Sequence, residues 1–189
     1  MKNENLEKAR KMFDEYKGNC FFMARDGVEG EYRRYQVPKQ LEVQWRKENQ
    51  EEIKRSLFSD LDNETIALQF WQYGDYAVDL ADQEGFVFMI QYFEEHKDVW
   101  DTNTVSITIS AIDNTARKLL GKKQYKKMLK QVVLWLEECL EKPIWIADCY
   151  DLQGYPWDGD PIERLKQEIE YSIECYKKRL RRPYIFIHW

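Results

Sequence analysis

Apolar side chains recur along most of this chain at the three- and four-residue steps of a helix face. Over residues 121–141, Tyr125, Leu129, Val132, Leu136 and Cys139 keep that spacing, and Val133, Trp135 and Leu140 widen the stripe. This segment is expected to be a long helix carrying the middle of the core. The same steps occur at Ile66, Phe70, Tyr73, Ala77 and Leu80, then at Phe86, Ile90, Phe93 and Trp100. They occur again at Val105, Ile109, Ile112, Ala116 and Leu119. Short connections at 83–85, 101–103 and Gly121 make these four segments antiparallel neighbours. One stretch is ambiguous, because Val105, Ile107 and Ile109 also alternate and are β-branched. Helix is preferred there: the pattern runs on through Leu119, and Asp101 or Thr102 can cap it.

The flanking segments are less regular. Leu6, Ala9, Phe13 and Tyr16 mark a short amphipathic helix that Gly18 and Asn19 stop. Two β-prone runs within 20–37 surround Asp26-Gly27 and read as a hairpin or as a loop. Pro38 suits the first position of a helix reaching about Phe58. In it, the polar run 46–52 interrupts the stripe of Leu41, Trp45, Ile53 and Leu57 and is expected to project into solvent. After Pro143 come a short apolar piece, 144–148, and a turn-rich loop. Asp160-Pro161-Ile162-Glu163 then has the chemistry of a helix start, and that helix buries Leu165, Ile169 and Ile173 before Pro183 stops it. The reading is a mainly α single domain spanning 1–189. It has about seven antiparallel helices, with β or extended accessory segments at 20–37, 144–148 and 184–189.

Composition narrows the class. Of 189 residues, 43% are hydrophobic, 33% charged and 15% aromatic, and the net charge is −5. That balance argues against general nucleic-acid binding, and the aromatic surplus suggests contact surfaces as well as core. No apolar run reaches the ~18–20 residues of a membrane span. The first ten residues lack a signal-peptide core. Cys20, Cys139, Cys149 and Cys175 lie far apart and read as buried thiols of a cytoplasmic protein.

Charge is the informative pattern. Between Asp60 and Asp101 there are eleven acidic residues and one base, Lys97, whereas Thr115 to Leu136 holds seven bases and no acid. The 121–141 helix carries its lysines first and Glu137, Glu138 and Glu141 last, against the helix dipole. In the acidic block Asp75, Asp79 and Asp82 fall on one helix face, with Gln72 and Tyr76 beside them. Like charges stacked this way weaken an isolated helix, and a basic partner would turn that cost into steered association. The competing reading is a solvated face balanced by the chain's own bases.

Three other places could carry chemistry. Asp148, Asp151, Asp158 and Asp160 cluster with Tyr150, Tyr155 and Trp157, so paired carboxylates could act as acid and base or hold a cation. Against this, Asp160 already serves as a helix cap and the spacing fits no EF-hand. Bases at 122–130 and 177–182 could bind nucleic acid. Two histidines and unpaired cysteines do not make a zinc site, and no GxSxG, HExxH, GxGxxG or P-loop is present, so no metal or cofactor is implied. The preferred reading is a non-enzymatic protein-binding module. It would offer an acidic, aromatic-bearing face (Gln72, Asp75, Tyr76, Asp79 and Asp82, with Tyr150, Tyr155 and Trp157) to a basic protein. In class, though through no particular motif, the profile is similar to small bacterial immunity proteins that neutralise toxins. An enzyme using the Asp148/Asp151/Asp158 loop and a nucleic-acid-binding regulator are the alternatives.

Overall fold

Side-chain caps set where many of the helices begin. In the computed structural model, which describes residues 3–150 and 159–181, nine helices and no strand occur among the described residues. The chain divides into two compact units, Met1–Ser59 and Asp60–Trp189.

The first unit holds α1 (Asn3–Glu15), α2 (Cys20–Arg25), α3 (Glu29–Arg34) and α4 (Lys39–Ser56). The hairpin or loop expected within 20–37 is replaced by α2 and α3, which also accounts for nine helices among the described residues where about seven were expected. The physical reason is local. Asn19 Oδ1 accepts the Phe21 amide at 2.9 Å and caps α2. Gly27, at φ +77°, then ends α2 as a left-handed cap, with the Val28 amide donating to the Met23 carbonyl at 2.9 Å. Asp-Gly therefore turns helix into helix, and Met23 and Tyr32 bury against Ala9, Phe13 and Trp45. The polar run in α4 also departs from expectation, since Asn49 and Gln50 are buried. Asn49 accepts from Arg10 at 2.7 Å and donates to Asp14 at 3.0 Å, so α1 supplies the partners that make its burial affordable.

The second unit holds α5 (Asn63–Asp79), α6 (Gln83–His96), α7 (Thr102–Leu119), α8 (Lys122–Glu141) and α9 (Pro161–Arg181). Asp62, Asp82 and Asp101 cap α5, α6 and α7, accepting from the amides of Thr65, Gly85 and Thr104 at 2.7, 2.9 and 2.6 Å. The ambiguous 104–111 stretch is helical: Val105, Ile109, Ile112 and Ala116 are buried at helical spacing, while Ile107 is only partly so. The centre of the unit is α7, which touches α5, α6 and α8, rather than α8, which the apolar pattern favoured. Its threonines look polar in sequence but fit the core. Thr108 Oγ1 donates to the Thr104 and Val105 carbonyls, and Thr115 Oγ1 to that of Ala111, each at 2.9 Å. At the crossing of α5 and α7, Gly74 allows an approach so close that a Cβ there would lie 2.5 Å from Thr115 Oγ1.

Residues 143–147 form neither helix nor strand and are tied to the first turn of α7. The Thr102 amide donates to the Trp145 carbonyl at 3.0 Å, the Trp145 amide to Thr102 Oγ1 at 3.1 Å, and the Ala147 amide to Asp101 Oδ2 at 2.6 Å. The tail expected to be extended, 184–189, lies outside the described residues.

Candidate partner-binding face

The helical period divides α5 sharply. Ile66, Phe70, Tyr73 and Ala77 bury, and the opposite side carries Leu68, Trp71, Gln72, Asp75 and Asp79 toward solvent to differing degrees. Leu68 is 59% exposed and Trp71 38% exposed. With Asp75 and Asp79 they follow at i, i+3, i+7 and i+11, so one face of one helix presents two large apolar side chains and then two carboxylates. Asp79 is exposed, and Asp75 and Gln72 are partly buried.

Asp75 lies 4.0 Å from Lys118 of α7, both side chains near half exposed. Desolvation raises its pKa above the ordinary carboxylate value; Lys118 pulls it down and Asp79 pushes it further up. Its charge is thus incompletely answered by the fold. Asp82 has a separate duty, its carboxylate accepting the Gly85 amide at the start of α6. Tyr76 is 2% exposed and belongs to the core, so in this conformation it offers a partner no surface. The Tyr150 hydroxyl lies 2.7 Å from Thr104 Oγ1, which also donates to the Asn63 carbonyl at the start of α5, and burial raises the Tyr150 pKa. Tyr155 and Trp157 lie outside the described residues. So do Asp151 and Asp158, while Asp148 is exposed. Among the described residues no group of three or more His, Cys, Asp or Glu side chains could hold a metal ion.

The inverted charges of α8 are answered at its C-terminal end. Glu138 accepts from Lys97 and Lys142, each at 2.9 Å, and Glu137 lies 2.6 Å from Lys177 of α9. Lys122, Lys123, Lys126, Lys127 and Lys130 at its start are exposed. On α9, Lys178 pairs with Glu174 at 3.2 Å, and Arg179 lies 3.7 Å from the buried Asp113. Of the basic stretch 177–182, Lys177, Lys178 and Arg179 thus meet acids of the chain itself.

Sequence reasoning picked out the acids of α5 and missed Leu68 and Trp71. The signal was available: both lie off the Ile66–Phe70–Tyr73 stripe, and at i and i+3 they are neighbours on one helix face rather than scattered apolar residues. No protein-family model, curated protein or solved structure matches this chain. No helix among the described residues is long and apolar enough to cross a membrane.

Proposed function

We propose that this protein is a non-enzymatic, cytoplasmic protein-binding module whose α5 face receives a basic protein, in the manner of an immunity protein that neutralises a toxin. The observation that carries this reading is the exposure of Leu68 and Trp71 in helical register with Asp75 and Asp79. Apolar side chains of that size gain free energy when a partner covers them, and Trp is over-represented among residues that dominate binding. The adjacent carboxylates select the sign of the partner and speed its approach. The four thiols, all free and only Cys139 buried where burial of all four was expected, support the cytoplasmic assignment.

The test is affinity capture from the native cell with three baits: wild type, Asp75→Lys/Asp79→Lys and Trp71→Ala. The expected result is a basic protein retained by wild type and lost from both variants. An unchanged captured set across the three baits would rule out this face.

A further inference from the structure

A second feature of the Asp60–Trp189 unit has the build of a ligand site. The indoles of Trp100, Trp135 and Trp145 and the ring of Phe93 line a cleft of about 290 Å³ where the ends of α6 and α8 meet the first turn of α7. Trp145 is 47% exposed, yet its backbone is held by the hydrogen bonds to Thr102 described above, so a large aromatic side chain stands at the surface on a fixed base. Ring faces held this way are suited to a flat ligand or to a cation.

The mouth is charged, and its arithmetic sets the sign of the ligand. Lys97 Nζ lies 2.9 Å from Glu138 and 3.1 Å from Glu94, and Lys142 Nζ lies 2.7 Å from Asp98 and 2.9 Å from Glu138. Each ammonium is thus held between two carboxylates: Asp98 and Glu138 line the cleft with the two lysines, and Glu94, behind Lys97 and outside the lining, is the third carboxylate of the network. The surplus is one negative charge. Three carboxylates also offer roughly twelve acceptor positions against about six ammonium hydrogens, and the Trp135 indole N–H, donating to Glu94 at 2.7 Å, takes up only one more. An anion would have to displace a carboxylate to reach either lysine. A plain hydrocarbon would desolvate the charged rim without replacing its contacts with water. A cation with N–H donors meets neither objection.

We propose that this cleft binds an arylalkylammonium: an aromatic ring against the half-exposed Trp145, with its primary ammonium at the mouth on Asp98 and Glu138. The volume lies at the lower end of small-molecule sites, roughly 300 Å³, and admits one ring system with a short stem. The site is independent of the α5 face, since it lies at the start of α7 while Lys118, beside Asp75, lies near its end.

The probe is phenethylamine, titrated into the full chain and followed by calorimetry and by the indole N–H resonances. 3-Phenylpropionate keeps the size and reverses the charge; ethylamine keeps the charge and removes the ring. Phenethylamine is expected to bind at least about tenfold tighter than either, with saturable shifts at the Trp145 indole in wild type, and to lose about tenfold in Trp145→Ala. Asp98→Asn, on an exposed side chain, is expected to weaken phenethylamine and leave 3-phenylpropionate no weaker. Unfolding midpoints of both variants check that the fold is intact. The proposal is overturned if phenethylamine gives no saturable shift in the millimolar range, if either control binds as tightly, or if Trp145→Ala binds like wild type.

Discussion

At the scale of single residues, two buried positions make sharp demands. A Cβ at residue 74 would meet Thr115 Oγ1 at 2.5 Å and Met89 Cε at 3.0 Å, and the Thr115 hydroxyl is held by its bond to the Ala111 carbonyl. Gly74→Ala gains helix propensity, yet it should still lose roughly 1–2 kcal/mol net, because overpacking a fixed crossing costs more. Urea unfolding measures this, and adding Thr115→Ala should recover most of the loss; a midpoint that does not fall would show that the crossing gives way freely. Asp113 is the second position. Buried where α7, α8 and α9 meet, it accepts the Tyr125 hydroxyl at 2.9 Å. Burial raises its pKa above the ordinary carboxylate value, only partly offset by Tyr125, Arg179 and Arg117, and burial together with the Asp113 charge pushes Tyr125 up to about 12. With the folded pKa above the unfolded one, the native state holds the proton more tightly, so stability falls as pH rises from about 4 through the raised value. Asp113→Asn removes that slope. Its stability relative to wild type should therefore improve as pH rises through that window, and parallel stability–pH curves would contradict the assignment.

At the scale of elements, the amphipathic helices were legible because their period survives imperfect composition, and the exceptions share a cause. Residues 20–37 misled because Asp-Gly supplies positive φ to a helix end as readily as to a hairpin. Asn49 and Gln50 misled because Arg10 and Asp14, the partners of Asn49, come from more than thirty residues away. The central place of α7 was hidden by threonines whose hydroxyls bond to their own helix, which makes a polar-looking segment suitable for burial. Asp101 extends the same lesson. Fully buried, it accepts both the Thr104 amide and the Ala147 amide at 2.6 Å, and so caps α7 and anchors 143–147 at once. Asp62 makes only a local, exposed cap. Asp62→Ala should cost about 1 kcal/mol, the usual loss of an N-cap. Asp101→Ala should cost roughly 2–4 kcal/mol, because one buried and one part-buried N–H group lose their acceptor, and exchange of the Ala147 amide should accelerate. Equal losses at the two caps would mean that the tether contributes nothing.

At the scale of the whole molecule, charge is sorted by segment, and only part of that sorting is consumed internally. Glu137 and Glu138 are answered by Lys177, Lys97 and Lys142, while Asp75 has the more distant Lys118. The acidic block was plain in the sequence. What it could not reveal was which acids the fold would use, since Asp82 as a cap and Asp75 beside α7 depend on tertiary placement. If the α5 face receives a basic protein, its carboxylates act over distance on encounter, whereas Leu68 and Trp71 act only after contact. The two classes of variant should then separate kinetically. Lys118→Ala removes a countercharge and should raise the association rate constant. Asp79→Lys reverses a charge one turn from Asp75 and should lower it, by about tenfold at low salt and by less as salt is added. Neither should alter the dissociation rate as much. Trp71→Ala should do the opposite, leaving association nearly unchanged and speeding dissociation by tenfold or more, the effect of losing a buried aromatic anchor. Stopped-flow association and surface-immobilised dissociation with the captured partner measure both constants. If charge variants changed only dissociation, or Trp71→Ala changed only association, the division of labour along α5 would be wrong even with the partner in hand.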